Sequence, residues 1–306
     1  SDLEWMIMSY QVLARKYRPR LFDDVVGQEH AVRALVNALD KDRLHHAYLF
    51  TGTRGTGKTT IARILANCLN CEQGISSSPC GTCEPCTEII EGRFVDLIEV
   101  DAASRTGVDD TRDLLNNVQY LPTRGRFKVY LIDEVHMLST SSFNALLKTL
   151  EEPPPHVKFL LATTDPGKVP MTVLSRCLQF NLKNILPDVI TEHLRSVLSR
   201  ESFDSDDVSL NVIARAADGS LRDALSIADQ AVSYCGGSLE GDRVAEMLGT
   251  VRSDEVARLL DAFAEGDRVA LFKCSNELAA RAADLADVLD NLQRAFHELA
   301  MAHATE

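Results

Sequence analysis

The tightest constraint on this chain is the glycine-rich run Gly52-Thr53-Arg54-Gly55-Thr56-Gly57-Lys58-Thr59, directly behind the apolar stretch Ala47-Tyr48-Leu49-Phe50-Thr51. It fits G-x-x-x-x-G-K-[ST], a loop whose backbone N–H groups cradle phosphates while its lysine meets their charge. Beyond it, Ile61, Ala62, Leu65, Ala66 and Leu69 recur at helical spacing, which predicts a helix from Thr59 through Thr60 to about Leu69. Strand, loop and helix in that order make a seat for polyphosphate at a helix N-terminus. The chain is expected to bind a nucleoside triphosphate and to split it.

Four further apolar runs, at 94–100, 127–132, 157–162 and 177–182, read as short strands separated by helical patterns. That order predicts an α/β fold, a parallel five-stranded sheet covered on both faces. Ser142 to Leu150 reads as one of the helices, with Phe143, Leu146, Leu147 and Leu150 on its buried side, and Pro153 to Pro155 stop it. After Pro187 no strand pattern returns, and amphipathic helices follow, with a break expected at Gly236-Gly237. Further helices are expected at 254–264, 267–280 and 286–301. Ser1 to Ile7 read as an expression remnant ahead of a natural start at Met8.

Charge is divided unevenly. Of the net −13, residues 1–184 carry 21 Lys/Arg against 22 Asp/Glu, or −1, and residues 185–306 carry 11 against 23, or −12. The half that holds the loop is near neutral, so local basic patches there are free to meet a phosphate backbone. The overall charge neither supports nor excludes a DNA partner. No run reaches the roughly 18 apolar residues of a membrane span.

The chemistry gathers around Val129-Tyr-Leu-Ile-Asp-Glu134, an apolar strand that ends in two carboxylates. In a parallel sheet ligands collect at the carboxyl ends of strands, so this pair is expected in the same crevice as the loop. Lys58 is expected against the β- and γ-phosphates, and Thr59 and Asp133 are expected to hold Mg²⁺. Glu134 is then free to orient and deprotonate the attacking water. Thr164, at the end of another apolar run, suits either the γ-phosphate or that water. Arg176 and Arg222 suit charge on a transferred phosphoryl group. From spacing alone, Arg176 reads as readily as the partner of a surface carboxylate.

Of eight cysteines, Cys71, Cys80, Cys83 and Cys86 fall in one 16-residue window as C-x8-C-x2-C-x2-C. Four thiolates so spaced suit a tetrahedral structural Zn²⁺, and the further Cys-Pro of an iron–sulfur run is missing. Cys68, one turn earlier in the helical pattern, competes for the first place but reads as a buried thiol. A P-loop without a signal segment points to a reducing cytoplasm rather than to disulfides.

Several strings together resemble the gamma/tau ATPases of bacterial sliding-clamp loaders, AAA+ members of the DNA polymerase III holoenzyme. They are Tyr10-Gln-Val-Leu-Ala-Arg-Lys-Tyr-Arg-Pro19, Asp24-Val-Val-Gly-Gln28, Asp133-Glu-Val-His136 and Ser141 to Pro154, with the cysteine insertion. The resemblance implies an AAA+ domain over 8–184 with a zinc insertion at 71–86, a helical lid over 185–243 and a truncated helical collar over 244–306. By the same likeness Thr164 matches sensor 1, Arg176 a finger acting on a neighbour's site, and Arg222 sensor 2. Val12, Ala14, Tyr17, Arg18, Pro19 and Val26 match the adenine pocket, and Arg105 and Lys148 match positions that face DNA phosphates. Gly107 stands where some relatives carry a basic residue. The partners implied are other gamma/tau copies, delta and delta-prime subunits, the beta sliding clamp and primer–template DNA. The rival readings are a branch-migration ring, a non-hydrolysing scaffold subunit and a zinc-stabilised nucleotide binder without a DNA role.

Overall fold

A computed structural model describes residues 11–104, 117–249, 253–280 and 285–305. The expected remnant at 1–7, Tyr10, Arg105 and Gly107 lie outside the described residues. The chain divides into two compact units, one of residues up to Ile190 with Ala217–Ser226, the other of Thr191–Ala216 with Ile227 onward.

The first unit opens with a short helix α1 (Leu13–Lys16) and α2 (Glu29–Asp40), followed by β1 (Ala47–Thr51) and α3 (Lys58–Asn70). Then come α4 (Glu84–Glu91), β2 (Leu97–Asp101), β3 (Lys128–Asp133), α5 (Thr140–Glu151), β4 (Val157–Thr163), α6 (Met171–Leu174) and β5 (Leu178–Asn181). The five strands form one parallel sheet in the order β2-β3-β4-β1-β5, as the sequence predicts in kind. Successive side chains of a strand point to opposite faces. Tyr48 and Phe50 of β1 accordingly join a core with Leu35, Ile61 and Leu65, while Ala47 and Leu49 join another with Phe143 and Leu146. Burial on both faces is why β1 is apolar throughout rather than alternating.

Three strand starts differ from expectation, β3 by a single residue, since it begins at Lys128. Phe94 is buried, yet it belongs to a turn closed by the Leu97 N–H on the Phe94 carbonyl at 3.2 Å, so β2 begins three residues later. β5 begins at Leu178, where pairing with Tyr48 of β1 starts. Helix α5 reaches back to Thr140 because Ser139 caps it, its Oγ accepting from the Ser142 N–H at 3.2 Å.

The remaining elements are α7 (Pro187–Arg200), β6 (Asp204–Ser205), α8 (Asp207–Ala216), α9 (Leu221–Cys235), β7 (Ser238–Leu239), α10 (Gly241–Leu248), α11 (Ser253–Ala264), α12 (Arg268–Ala280) and α13 (Leu285–Thr305). Helix α9 ends just before Gly236-Gly237, the expected break, and both glycines have positive φ. The expectation that no strand returns after Pro187 is corrected by a parallel pair of two-residue strands, β6 and β7, in the second unit. Asp206 fixes that pair, accepting from the Ser209 N–H at 2.6 Å and the Gly241 N–H at 3.1 Å. Farther on, Leu259, Leu278 and Val288 bring α11, α12 and α13 together around a small core. No helix of the described residues is long and apolar enough to cross a membrane.

Candidate nucleotide and metal sites

The strand order brings the carboxyl ends of β1, β4 and β3 side by side. Gly52 follows β1, Thr164 follows β4, and Asp133 ends β3 with Glu134 next. The glycine loop, the sensor 1 candidate and both acids therefore stand along one edge of the sheet.

The loop is shaped for an anion. Gly52, Gly55 and Gly57 have φ of +143°, +76° and +102°, the left-handed range that a side chain disfavours. A Cβ on Gly52 would lie 2.5 Å from the Leu182 carbonyl oxygen, and one on Gly55 would lie 1.8 Å from Ser220 Oγ. Thr56 Oγ1 donates to the Thr53 carbonyl at 2.9 Å. Lys58 opens α3 and is buried at 6% exposure, its ammonium on the Gly52 and Thr53 carbonyls at 2.9 and 2.8 Å. Burial pulls its pKa down, against the pull of Glu134 and Asp133. Burial also raises the pKa of Asp133, whose Oδ1 accepts the Glu134 N–H at 3.0 Å. Half-buried charge of this kind calls for a counter-charge.

More cations approach from three segments. Arg18 Nε donates to Thr60 Oγ1 at 3.1 Å, which sets its guanidinium over the first turn of α3. Its pKa is pulled down to about 10, chiefly by burial and by Arg63, against Glu99, with Arg222 and Asp133 also acting on it. Arg222 is exposed in the first turn of α9, beside the loop, since a Cβ on Gly55 would meet its Cβ at 3.4 Å. Of the residues expected at the adenine, Arg18 thus reaches the phosphate side of the loop. Ala14, Tyr17, Pro19 and Val26 are half-buried, and Val12 is exposed. The crowd of cations around a glycine cradle fits a polyphosphate.

Thr164 gives both its N–H and its hydroxyl to Glu134 Oε2, at 3.1 and 2.8 Å. Arg176 lies elsewhere. It precedes β5 at the amino edge of the sheet, with Nη2 on Glu151 Oε1 at 2.8 Å and Nη1 on the Thr172 carbonyl at 2.8 Å. Leu178 pairs with Tyr48, so about 13 Å of strand, four residues at 3.3 Å each, separates that level from Gly52. Lys148 is exposed on α5.

Some residues at the site escape motif reading. Gln28 is fully buried and donates to the carbonyls of Lys183, at 2.7 Å, and Thr56, at 3.4 Å, while its Oε1 accepts from the Lys183 N–H at 3.1 Å. Thr53 Oγ1 donates to Asn184 Oδ1 at 2.6 Å. The loop is thus tied to the segment after β5 by partners more than 100 positions away. The only local signal was the Val-Val-Gly-Gln string.

The sulfurs of Cys71, Cys80, Cys83 and Cys86 all lie within 4.8 Å of one another, and Cys80 and Cys86 are 3.9 Å apart. A tetrahedron with metal–sulfur bonds near 2.3 Å has edges of about 3.8 Å, so a metal ion fits. Cys80 Sγ accepts the Cys83 N–H at 3.3 Å, and Cys71 Sγ accepts the Cys80 N–H at 3.4 Å. Cys71 leaves α3 in extended conformation, and Cys83 caps α4, which carries Cys86. Cys68 remains in α3, its Sγ facing the Ser77 carbonyl at 3.7 Å, and burial pushes its thiol up to about 12. The cluster sits at the far end of α3 from Lys58, about 20 Å away at 1.5 Å per residue over 13 residues.

The family model described as "DNA polymerase III, delta subunit" matches residues 27–186. A second, "DNA polymerase III clamp loader subunit, ATPase lid domain", matches residues 189–237. DNA polymerase III subunit gamma of Buchnera aphidicola subsp. Baizongia pistaciae is 46% identical over 96% of this chain and 80% of its own length. The chain belongs to the gamma/tau subunits of DNA polymerase III. The subunit tau of Escherichia coli strain K12 is 58% identical over 96% of this chain, and the chain spans about half of that relative, 46%. The Holliday junction branch migration motor RuvB of Thermotoga maritima has the same AAA+ fold, with a TM-score of 0.57, covering 80% of this chain and 79% of its own. At 20% identity it shows the fold alone. Membership of the gamma/tau family sets the branch-migration reading aside.

Proposed function

We propose that this chain is the ATPase motor of the bacterial replicative clamp loader, using ATP binding and hydrolysis to open the beta sliding clamp and place it on primer–template DNA. The observation that carries the reading is the convergence of Lys58, Asp133, Glu134 and Arg222 on one glycine loop. A non-hydrolysing scaffold has no use for a complete set of these groups.

In this reading Gly52 to Thr60 hold the phosphates, and Val12, Ala14, Tyr17, Arg18, Pro19 and Val26 form the adenine side. Arg18 serves the phosphates as well, because its guanidinium stands over Thr60. Thr59 and Asp133 would hold Mg²⁺, which would supply positive charge against the phosphates. Glu134 takes a proton from the attacking water as ADP leaves, and Lys58 and Arg222 meet the charge that develops. Arg176, on the opposite edge of its own sheet, completes the site of a neighbouring copy in trans. Its ion pair with Glu151 is half-exposed and worth little in stability, so it serves to orient the finger.

The four cysteines hold a structural Zn²⁺ that ties the end of α3 to α4. The division into an AAA+ domain at 8–184, a lid at 185–243 and a collar at 244–306 follows the family. Other gamma/tau copies, delta, delta-prime, the clamp and DNA are the partners, in the cytoplasm. Arg105 and Lys148 touch DNA phosphates, contacts that position without reading sequence. The test is ATP hydrolysis by the reconstituted loader with delta, delta-prime, clamp and primed DNA omitted in turn. Each omission is expected to depress turnover. Undiminished hydrolysis by the lone chain overturns the proposal.

A further inference from the structure

Glu134 is held in an unusual way. Its backbone is left-handed, at φ 47° and ψ 46°, a conformation that costs a residue with a Cβ roughly 1–2 kcal/mol. The turn Val135–Met137 that follows is anchored by the fully buried Val135 and presents His136, whose side chain is 10% exposed. His136 Nδ1 lies 2.9 Å from Thr163 Oγ1 and 3.3 Å from Glu134 Oε2. Thr163 Oγ1 already accepts the Asp165 N–H at 3.1 Å.

The carboxylate beside Nδ1 favours the tautomer with the proton there. With a bare Nδ1, a lone pair would face a carboxylate oxygen at 3.3 Å. With a proton on Nδ1, the ring donates to Thr163 Oγ1 and turns the positive N–H edge toward Glu134 Oε2. Glu134 Oε2 then accepts two hydrogen bonds, from the N–H and hydroxyl of Thr164, and faces the Nδ1 edge of His136 at 3.3 Å. Both bonds come from a single residue at the end of β4 and so pin the carboxylate from one side. His136 stands against it from another, out of the turn that carries Glu134 itself.

We propose that His136 is a positioning residue for hydrolysis: it locks the Glu134 carboxylate through Oε2, which leaves Oε1 to take the proton of the attacking water. The inference rests on Glu134 being the base. Its chemistry demands a donor at the Nδ1 position, and a ring or its volume alone does not meet that demand. Asparagine carries an amide N–H near the place of Nδ1, whereas glutamine carries one near Nε2.

The test uses the assembled loader with clamp and primed DNA, and reads kcat, KM and ATP affinity for three variants. His136→Ala and His136→Gln are expected to lower kcat roughly tenfold, the scale of a misaligned catalytic group, with ATP affinity within about twofold of wild type. His136→Asn is expected to recover most of the loss. A structural role would rank the variants by volume, with glutamine best, and that ranking overturns the proposal. So does an unchanged kcat in all three. If His136→Ala does not fold, the asparagine and glutamine variants decide by themselves. Glu134→Gln separates this inference from the reading beneath it. Full hydrolysis by Glu134→Gln removes the base, and its loss alongside unaffected His136 variants removes the positioning role alone.

Discussion

Gly55→Ala probes whether the glycine loop truly abuts the start of α9, where Arg222 stands. The new Cβ meets two separate costs. At φ +76° an alanine pays roughly 1–2 kcal/mol for left-handed backbone. It also meets Ser220 Oγ at 1.8 Å and Ser220 Cβ at 2.8 Å, and Ser220 is buried at 4% exposure. Relieving such overlap costs about 1–3 kcal/mol more. The two costs separate in a double-mutant cycle with Ser220→Gly. Ser220 caps α9 through the Asp223 N–H at 3.1 Å, and glycine at a cap costs only a few tenths of a kcal/mol. Gly55→Ala is expected to destabilise the nucleotide-binding unit by about 2–5 kcal/mol with Ser220 present, and by about 1–2 kcal/mol in the Ser220→Gly background. The readout is native-state hydrogen exchange in β1 and β4, central strands whose amides exchange when the unit opens as a whole. Equal cost in the two backgrounds refutes the contact, and with it the placing of Arg222 at the loop.

Three further outcomes follow from the same geometry. Arg222→Ala is expected to weaken ATP binding roughly tenfold or more, the value of a lost charge-assisted bond, measured by titration of a fluorescent ATP analogue. Cys71→Ser is expected to release zinc, measured as metal bound per chain, whereas Cys68→Ser retains it. Because the cluster stands at the other end of α3 from Lys58, the zinc-free protein should lose thermal stability before it loses nucleotide affinity. Lys148→Ala should weaken binding of the assembled loader to primed DNA equally across sequences and lower the salt slope by about one.

What the sequence discloses depends on the range of the interactions. The glycine loop, the Asp133–Glu134 strand end and the cysteine spacing are local, and each can be read from a window shorter than twenty residues. Helix α2 also carries a local signal, Ala31, Leu35 and Leu39 on one face. Cys71 rather than Cys68 lies with the other three sulfurs because α3 ends just before it, a matter of one turn. By contrast, Gln28 to Lys183, Thr53 to Asn184 and Gly55 to Ser220 join segments more than 100 residues apart. The strands β6 and β7 have two residues each, too few for any periodicity, and exist because Asp206 and a neighbouring strand supply their bonds. Arg176 shows both limits at once. Its pairing with a carboxylate was open to sequence reading, but its place at the amino edge required the strand order.

The central claim, that each site is completed by the Arg176 of another copy, is tested most directly by mixing two inactive variants in one assembly. Arg176→Ala keeps its own Glu134, and Glu134→Gln keeps the arginine that it offers to a neighbour. Each alone is expected to lose hydrolysis, on the order of 1,000-fold for the arginine. Mixed loaders with clamp and primed DNA should regain DNA-stimulated ATP hydrolysis at those interfaces where an intact Glu134 faces an intact Arg176. Mixtures no more active than either variant alone would contradict the claim, as would an Arg176→Ala loader that hydrolyses at the wild-type rate.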